Sequence, residues 1–274
     1  MEIPKIIHQS HKGPESTIPE RELKIRSKLL MNHADWEYKY WTDEDNRKLI
    51  TDHYPWFLKT YDQYAYPIQR ADVARYFYMH KYGGVYLDLD MFSLQPMDEL
   101  FQRINDNEAQ FLVNVTGHKS VVLFEEYPNA YGAQKSIYNA ILASERGADF
   151  WMLCFYMLAQ EQKLQNYEDI GMENTVFRTT GPRFLHSAAN AHINMSYLKN
   201  LCILPYFYTN PVCLRVKGSD NQLVLFNKYN IKSLFQKANL DGGWLLVPKD
   251  YQTKELLADS YFMHLSARTW SHER

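Results

Sequence analysis

The segment Tyr82-Gly83-Gly84-Val85-Tyr86-Leu87-Asp88-Leu89-Asp90 constrains this chain more than any other. A helix-like run over 68–81 ends at two glycines, and glycine accepts the left-handed conformation that closes helices. An apolar run over 85–91 follows with no slack and reads as a strand. Helix, tight turn and strand in immediate succession is the behaviour of an α/β domain. Read as a strand, Val85, Leu87 and Leu89 share one face and Tyr86, Asp88 and Asp90 the other. The two carboxylates then stand roughly 6.6 Å apart along the backbone. Left together without a counter-charge they repel one another and resist burial. A hard divalent cation, Mn²⁺ or Mg²⁺, fits two oxygen ligands and keeps open positions for phosphate oxygens. An acidic strand end neutralised by Lys or Arg is the plainer alternative for an isolated D-x-D. The preceding helix bears Asp72 and Arg75, three residues apart and so on one face. On a solvated helix that pair is an ordinary ion pair; beside the acidic segment it becomes part of a candidate site.

The rest of the chain agrees with α/β. Residues 3–9 and 36–41 read as strands, and 20–32 as a helix. Thr42 reads as an N-cap, followed by Asp43, Glu44 and Asp45 in the first turn, where the helix dipole favours acids; that helix ends before Pro55. Residues 109–115, 120–124, 201–205 and 261–265 are further strand candidates. Helices are expected over 150–162 and from Gly181-Pro182 to about 191. Gly242-Gly243-Trp244 reads as a turn. No linker or repeat divides the 274 residues, so one domain over 1–274 is expected, in halves over about 1–115 and about 116–274. The polar last residues, 266–274, with one Trp, would fold back as a flap.

Charge and cysteine content narrow the function. The formal net charge is −2 and no basic run occurs, which speaks against nucleic acid as the partner. Cys154, Cys202 and Cys213 sit among apolar residues with no CxxC pair, as buried free thiols of a reducing compartment do. The longest apolar run, 150–159, is about half of the roughly 20 residues a membrane helix needs. No signal-peptide pattern opens the chain, so a cytoplasmic protein is expected, with peripheral membrane attachment as the variant.

Taken together, Arg70-Ala71-Asp72-Val73-Ala74-Arg75-Tyr76 and the segment 82–90 resemble the D-x-D signature of glycosyltransferase family 32. That family includes the yeast initiating α-1,6-mannosyltransferase, and it is similar to the glucosyltransferase domains of clostridial toxins. Ile3-Pro4-Lys5-Ile6-Ile7-His8-Gln9 and the segment 36–43 extend the resemblance, which is strong over about 3–100. Beyond, it rests on Asn129, Thr180-Gly181-Pro182, His264 and Trp270-Ser271. The resemblance implies a GT-A fold, with a mixed Rossmann-like sheet flanked by helices. It implies a nucleotide-diphosphate sugar donor, a UDP-sugar in preference to GDP-mannose, and a glycan, glycolipid or lipid-linked acceptor. It also implies transfer with retention of configuration. By the same resemblance Asp72, Arg75, Asp88, Asp90 and Asn129 are the catalytic set, and Asp90, Asp88 and His264 hold Mn²⁺ or Mg²⁺. Ile7, His8, Gln9, His11, Tyr86, Trp270 and Ser271 would surround the donor. His11 stands where the family usually has a base-stacking Trp. His8 by its own residue type is more often a structural hydrogen-bonding group, and Glu125-Glu126 a surface acid pair, although a loop after a strand can reach an acceptor. An inactive nucleotide-sugar-binding relative is the competing reading. A D-x-D phosphatase is disfavoured because Met91-Phe92 follows the motif where small residues are needed.

Overall fold

The computed structural model describes residues 1–113, 117–126, 136–161, 171–195, 200–209, 213–217, 222–226, 235–240, 243–248 and 260–264. Elements follow in the order β1 (Ile6–Ser10), α1 (Glu20–Asn32), β2 (Glu37–Trp41), α2 (Asp43–His53), α3 (Leu58–Asp62), α4 (Pro67–Tyr82), β3 (Gly84–Leu87), β4 (Met91–Ser93) and α5 (Asp98–Asn105). The second half adds β5 (Val121–Phe124), β6 (Ile141–Ser144), α6 (Asp149–Glu161), α7 (Met172–Thr179), α8 (Pro182–Asn194) and β7 (Leu201–Leu204). Strands β8 (Cys213–Lys217), β9 (Gln222–Phe226), β10 (Phe235–Leu240) and β11 (Gly243–Pro248) form two hairpins, and β12 (Phe262–His264) returns to pair with β4. The expected α/β architecture is present.

A six-stranded sheet in the order β2-β1-β3-β6-β5-β7 is the frame. Only β6 runs against the others. Strands β2, β1 and β3 come from the 1–115 span and β6, β5 and β7 from the 116–274 span. Alternate residues of each central strand enter opposite cores. Tyr86, Val121, Leu123, Leu201 and Ile203 face one, with Phe77, Trp151 and Phe155 of the helices. Val85, Leu87, Val122, Phe124, Cys202 and Leu204 face the other, with Leu29, Leu100 and Ile104. Burial on both faces explains why these strands are near-continuous apolar runs with no polar alternation. Each such Leu, Val or Phe contributes roughly 1.5–3 kcal/mol. The aromatic content is used here: Phe77 and Phe155 stack at 3.9 Å, and Tyr76 packs on Trp151 at 5.8 Å.

Local chemistry sets the boundaries. At α2 the Thr42 hydroxyl accepts from the Asp45 amide at 3.1 Å and Asp45 accepts from the Thr42 amide at 2.9 Å, the reciprocal box that fixes a helix start. Pro67 opens α4, where a missing N–H costs nothing. Gly83 and Gly84 have φ of 67° and 92°, and a Cβ on Gly84 would lie 2.4 Å from the Ile6 carbonyl oxygen. Both the turn and the approach of β3 to β1 therefore need glycine.

Several expectations are corrected. Residues 85–91 are not one strand: β3 stops at Leu87, and Asp88 to Asp90 form a turn into β4, closed by the Met91 amide on the Asp88 carbonyl at 3.1 Å. The two aspartates therefore do not share a strand face. The first strand starts at Ile6, because the Ile6 amide turns back to the Pro4 carbonyl at 2.8 Å; of the preceding residues only Lys5 joins the ladder, its carbonyl accepting from the Glu37 amide at 2.9 Å. Residues 109–113 make no strand; one bond, Leu112 amide to Ile203 carbonyl at 2.8 Å, ties them to the sheet edge. Gly243 and Trp244 lie in β11, where the sequence suggested a turn.

Candidate active site

The carboxyl ends of β1, β2, β3, β5 and β7 all point to one edge of the sheet, the edge where α/β proteins place their ligands. The candidate residues collect there. Helix α4 is buried on nearly every side, and it carries Asp72 and Arg75 into the interior. Charges this deep need partners. Arg75 Nη2 lies 3.1 Å from Asp72 Oδ1, and Nη1 lies 3.4 Å from Asp88 Oδ1 and donates to the Asn139 carbonyl at 2.7 Å. Its guanidinium plane also covers the Tyr86 ring at 4.5 Å. Asp72 is held on its other sides by Asn139 Nδ2 at 3.0 Å and Thr180 Oγ1 at 3.1 Å. Thr180 is itself fixed, because its carbonyl accepts from the Tyr76 hydroxyl at 2.6 Å.

Burial and a shared guanidinium set the electrostatics. Desolvation raises the Asp72 carboxyl to about 6, against the opposing pull of Arg75 and with the Asp88 charge adding to the rise. One arginine divided between two carboxylates does not offset burial at both. Desolvation works against the Arg75 charge as well, but Tyr86, Asp88 and Asp72 override it, so this guanidinium stays charged. Asp88 is also raised, by burial first and then by Asp90, with Arg75 opposing.

The turn after β3 brings Asp88 and Asp90 to the mouth, and β12 delivers His264 from the far end of the chain by pairing with Met91. His264 Nε2 lies 3.1 Å from Asp90 Oδ1. Burial disfavours the imidazolium, but the Asp90 charge and hydrogen bond, with Asp88 behind them, raise its pKa. Asp88, Asp90 and His264 each offer one ligand atom, all within 4.8 Å of one another. This is the one such group of three among the described residues. Two carboxylates and an imidazole suit Mn²⁺ or Mg²⁺, with sites left for anionic oxygens. The donor set therefore fits a divalent ion.

Other expected residues take different places. Tyr86 is 1% exposed and its hydroxyl donates to Asp88 Oδ1 at 2.6 Å, so it positions the carboxylate from beneath. Gln9 Nε2 donates to the Asp88 carbonyl at 3.2 Å and Gln9 Oε1 accepts from the Tyr38 hydroxyl at 3.2 Å, which ties β1 to the turn. Ile7 and His8 have fully buried side chains. His8 Nε2 bonds to the Gly83 carbonyl at 2.9 Å, the Trp41 indole donates to its Nδ1 at 3.1 Å, and burial lowers its pKa to about 3. It is a neutral structural residue, as its type suggested. His11 is half-buried at the carboxyl edge of β1, with Nδ1 3.4 Å from the Gly13 amide. Asn129, Trp270 and Ser271 lie outside the described residues.

Asn139 was not anticipated, yet it is the residue that contacts both members of the Asp72–Arg75 pair. Only one signal was present in the sequence: an amide directly before the apolar run that becomes β6. Of the cysteines, Cys154 and Cys202 are buried free thiols. No helix among the described residues is long and apolar enough to cross a membrane.

Comparison with known proteins bears on residues of this same region. Over 98 residues the chain is 51% identical to inositol phosphoceramide mannosyltransferase 3 of Schizosaccharomyces pombe, covering 36% of this chain and 27% of that protein. It is 49% identical over 98 residues to mannosyl phosphorylinositol ceramide synthase SUR1 of Saccharomyces cerevisiae, covering 36% and 25%. The chain thus spans about a quarter of the length of these curated relatives. Among solved structures the PaToxG glycosyltransferase aligns with a TM-score of 0.49 at 14% identity, covering 70% of each chain. A family model described as the glycosyltransferase sugar-binding region containing the DXD motif matches residues 19–109. The resemblance carried by the motifs thus extends to these comparisons: residues 19–109 of this chain are similar to the glycosyltransferase sugar-binding region of the DXD type.

Proposed function

We propose that this chain is a metal-dependent retaining glycosyltransferase that moves a hexose from a nucleoside-diphosphate sugar to a hydroxyl of a glycan, glycolipid or lipid-linked acceptor. The observation that carries the reading is the cluster Asp88, Asp90 and His264 standing against the buried Asp72–Arg75–Asn139 network. The relatives' names, mannosyltransferases acting on inositol phosphoceramide, favour a mannosyl donor over the UDP-sugar suggested by the toxin-like motifs.

Asp88, Asp90 and His264 would hold Mn²⁺ or Mg²⁺, whose chemistry there is Lewis-acid neutralisation of charge on the departing diphosphate. Arg75 is a fixed, charged donor at the same wall and adds electrostatic stabilisation without reorganising. Asp72, its geometry locked by Asn139 and Thr180, accepts hydrogen bonds from donor-sugar hydroxyls. A nucleophilic carboxylate must be free to reach the anomeric carbon; Asp72 is held in place by three side chains. Front-face attack is therefore preferred. The acceptor oxygen bonds to the anomeric carbon as the carbon–phosphate-oxygen bond breaks, and the hydroxyl proton passes to the leaving diphosphate.

Thermal unfolding with GDP-mannose, UDP-glucose, UDP-galactose and UDP-N-acetylglucosamine, with and without Mn²⁺, tests this reading. A ligand that binds only the folded state stabilises by RT ln(1 + [L]/Kd). One donor should raise Tm only in the presence of Mn²⁺, and Asp90→Ala should abolish the rise. An equal rise in EDTA would overturn metal dependence. Silence with every donor and with Mn²⁺ would leave an inactive relative.

A further inference from the structure

The strand β5 ends at Phe124, two strands across the sheet from β3 in the order β3-β6-β5. Glu126 follows it. The backbone there continues as a short antiparallel ladder against the segment that leads into β6: Tyr138 amide to Phe124 carbonyl at 2.7 Å, a Glu125–Ile137 bridge, and Glu126 amide to Ser136 carbonyl at 2.9 Å. Side chains alternate along such a ladder, so Phe124, Glu126, Ser136 and Tyr138 share one face. Tyr138 packs edge-on against the His264 ring at 5.1 Å. Glu126 thus sits on the face that meets His264, one step farther toward the open end, and its charge is among those that raise the His264 pKa.

Two features separate Glu126 from an ordinary surface acid. It is only partly exposed, and the Ser136 hydroxyl, on a residue 9% exposed, donates to its carboxylate. A serine clamp on one oxygen fixes the rotamer and leaves the remaining lone pairs of an ionised carboxylate for another donor. Glu126 is outside the three-residue group that could hold an ion. Two inter-strand spacings place β5 roughly 10 Å from β3, so a sugar ring lying over the end of the intervening 136–140 segment can reach from Asp88 to Glu126.

We propose that Glu126, held by Ser136, is the acceptor-side carboxylate of this site and takes a hydrogen bond from an acceptor hydroxyl neighbouring the one that attacks. The ligand class is a polyhydroxylated ring, a sugar or a cyclitol, presented at the edge of the sheet beyond His264. Glu126 takes no proton in the transfer, so the bonds made and broken are those given above. Ser136 is a positioning residue that acts through Glu126. The inference rests on the reading of the site as a glycosyltransferase.

The test uses the full chain with Mn²⁺, the donor that stabilises it, and two acceptor probes: inositol phosphoceramide in detergent micelles and methyl α-mannoside. Steady-state kinetics are measured for wild type, Glu126→Gln, Ser136→Ala and Ser136→Thr. Glu126→Gln is expected to raise the acceptor KM at least tenfold while the donor KM stays within about twofold, one lost charge-assisted hydrogen bond being of that size. Ser136→Ala should give a smaller rise in the same constant, and Ser136→Thr, which keeps the hydroxyl, should restore it. An acceptor KM unchanged in Glu126→Gln would overturn the proposal. So would donor and acceptor constants rising together, which would place Glu126 with the ion and the diphosphate. A hexose adduct on Glu126 in intact-mass spectra would make it a nucleophile and overturn the role as well. Wild type that binds no donor, or turns over neither probe, would instead sink the glycosyltransferase reading on which the inference stands.

Discussion

At the scale of single residues, two buried ionisable groups oppose each other in their response to pH. His8 has a folded pKa near 3 against an ordinary 6.5. The unfolded chain therefore binds the extra proton between those values, and this contribution to stability is complete above pH 6.5 and is lost as pH falls. Asp72 has a folded value near 6 against an ordinary 3.8. Here the folded state holds the extra proton, so stability declines as pH rises from 3.8 to 6. Each slope is about 1.4 kcal/mol per pH unit at most, so the two nearly cancel between pH 4 and 6. Asp72→Asn should remove one arm: relative to wild type, its unfolding free energy should rise more steeply with pH across that window. Urea denaturation at half-unit steps checks this, and parallel profiles would show that folding does not raise the Asp72 pKa. Residue types and spacing singled out Asp72, Arg75, Asp88 and Asp90, while His264 entered only through the family resemblance. They could not select Asn139, because it reaches Asp72 through the β3–β6 pairing, across 67 positions of sequence.

At the scale of elements, legibility followed the locality of the cause. The start of α2 was readable because its cap is written within four residues, Thr42 to Asp45. The end of α4 was readable from the double glycine, and its start was placed one residue after Pro67. The Asp88–Asp90 turn was not, since Leu89 continues an apolar alternation that a strand and a turn can both carry. Strand β6 escaped as well: four apolar residues buried on both faces show no period of their own. Two substitutions grade these causes. Thr42→Ala should cost about 1 kcal/mol, the ordinary value of a lost cap. Gly84→Ala should cost more, about 2 kcal/mol or above, because a positive φ and a backbone oxygen at 2.4 Å act together. Equal losses in urea denaturation would mean that β3 can shift away from β1 without penalty.

At the scale of the molecule, the cluster Asp88, Asp90 and His264 joins positions far apart in the chain through one three-residue pairing, β12 on β4. Met263→Pro removes a ladder N–H from that pairing. It should weaken Mn²⁺ binding measured by isothermal titration while leaving Asp88 and Asp90 in place and the six-stranded sheet intact by circular dichroism. Unaltered Mn²⁺ affinity would show that the two aspartates suffice.

The late arrival of β12 also has a meaning in time. A ribosome makes Asp88 and Asp90 long before it reaches His264, and the sheet strands up to Leu204 are all available first. The cluster is thus finished only once His264 has been made. A chain cut short between residues 204 and 264 holds every strand of the six-stranded sheet, yet it lacks the imidazole that completes the triad. Readiness of the site is a report on whether translation ran past residue 264.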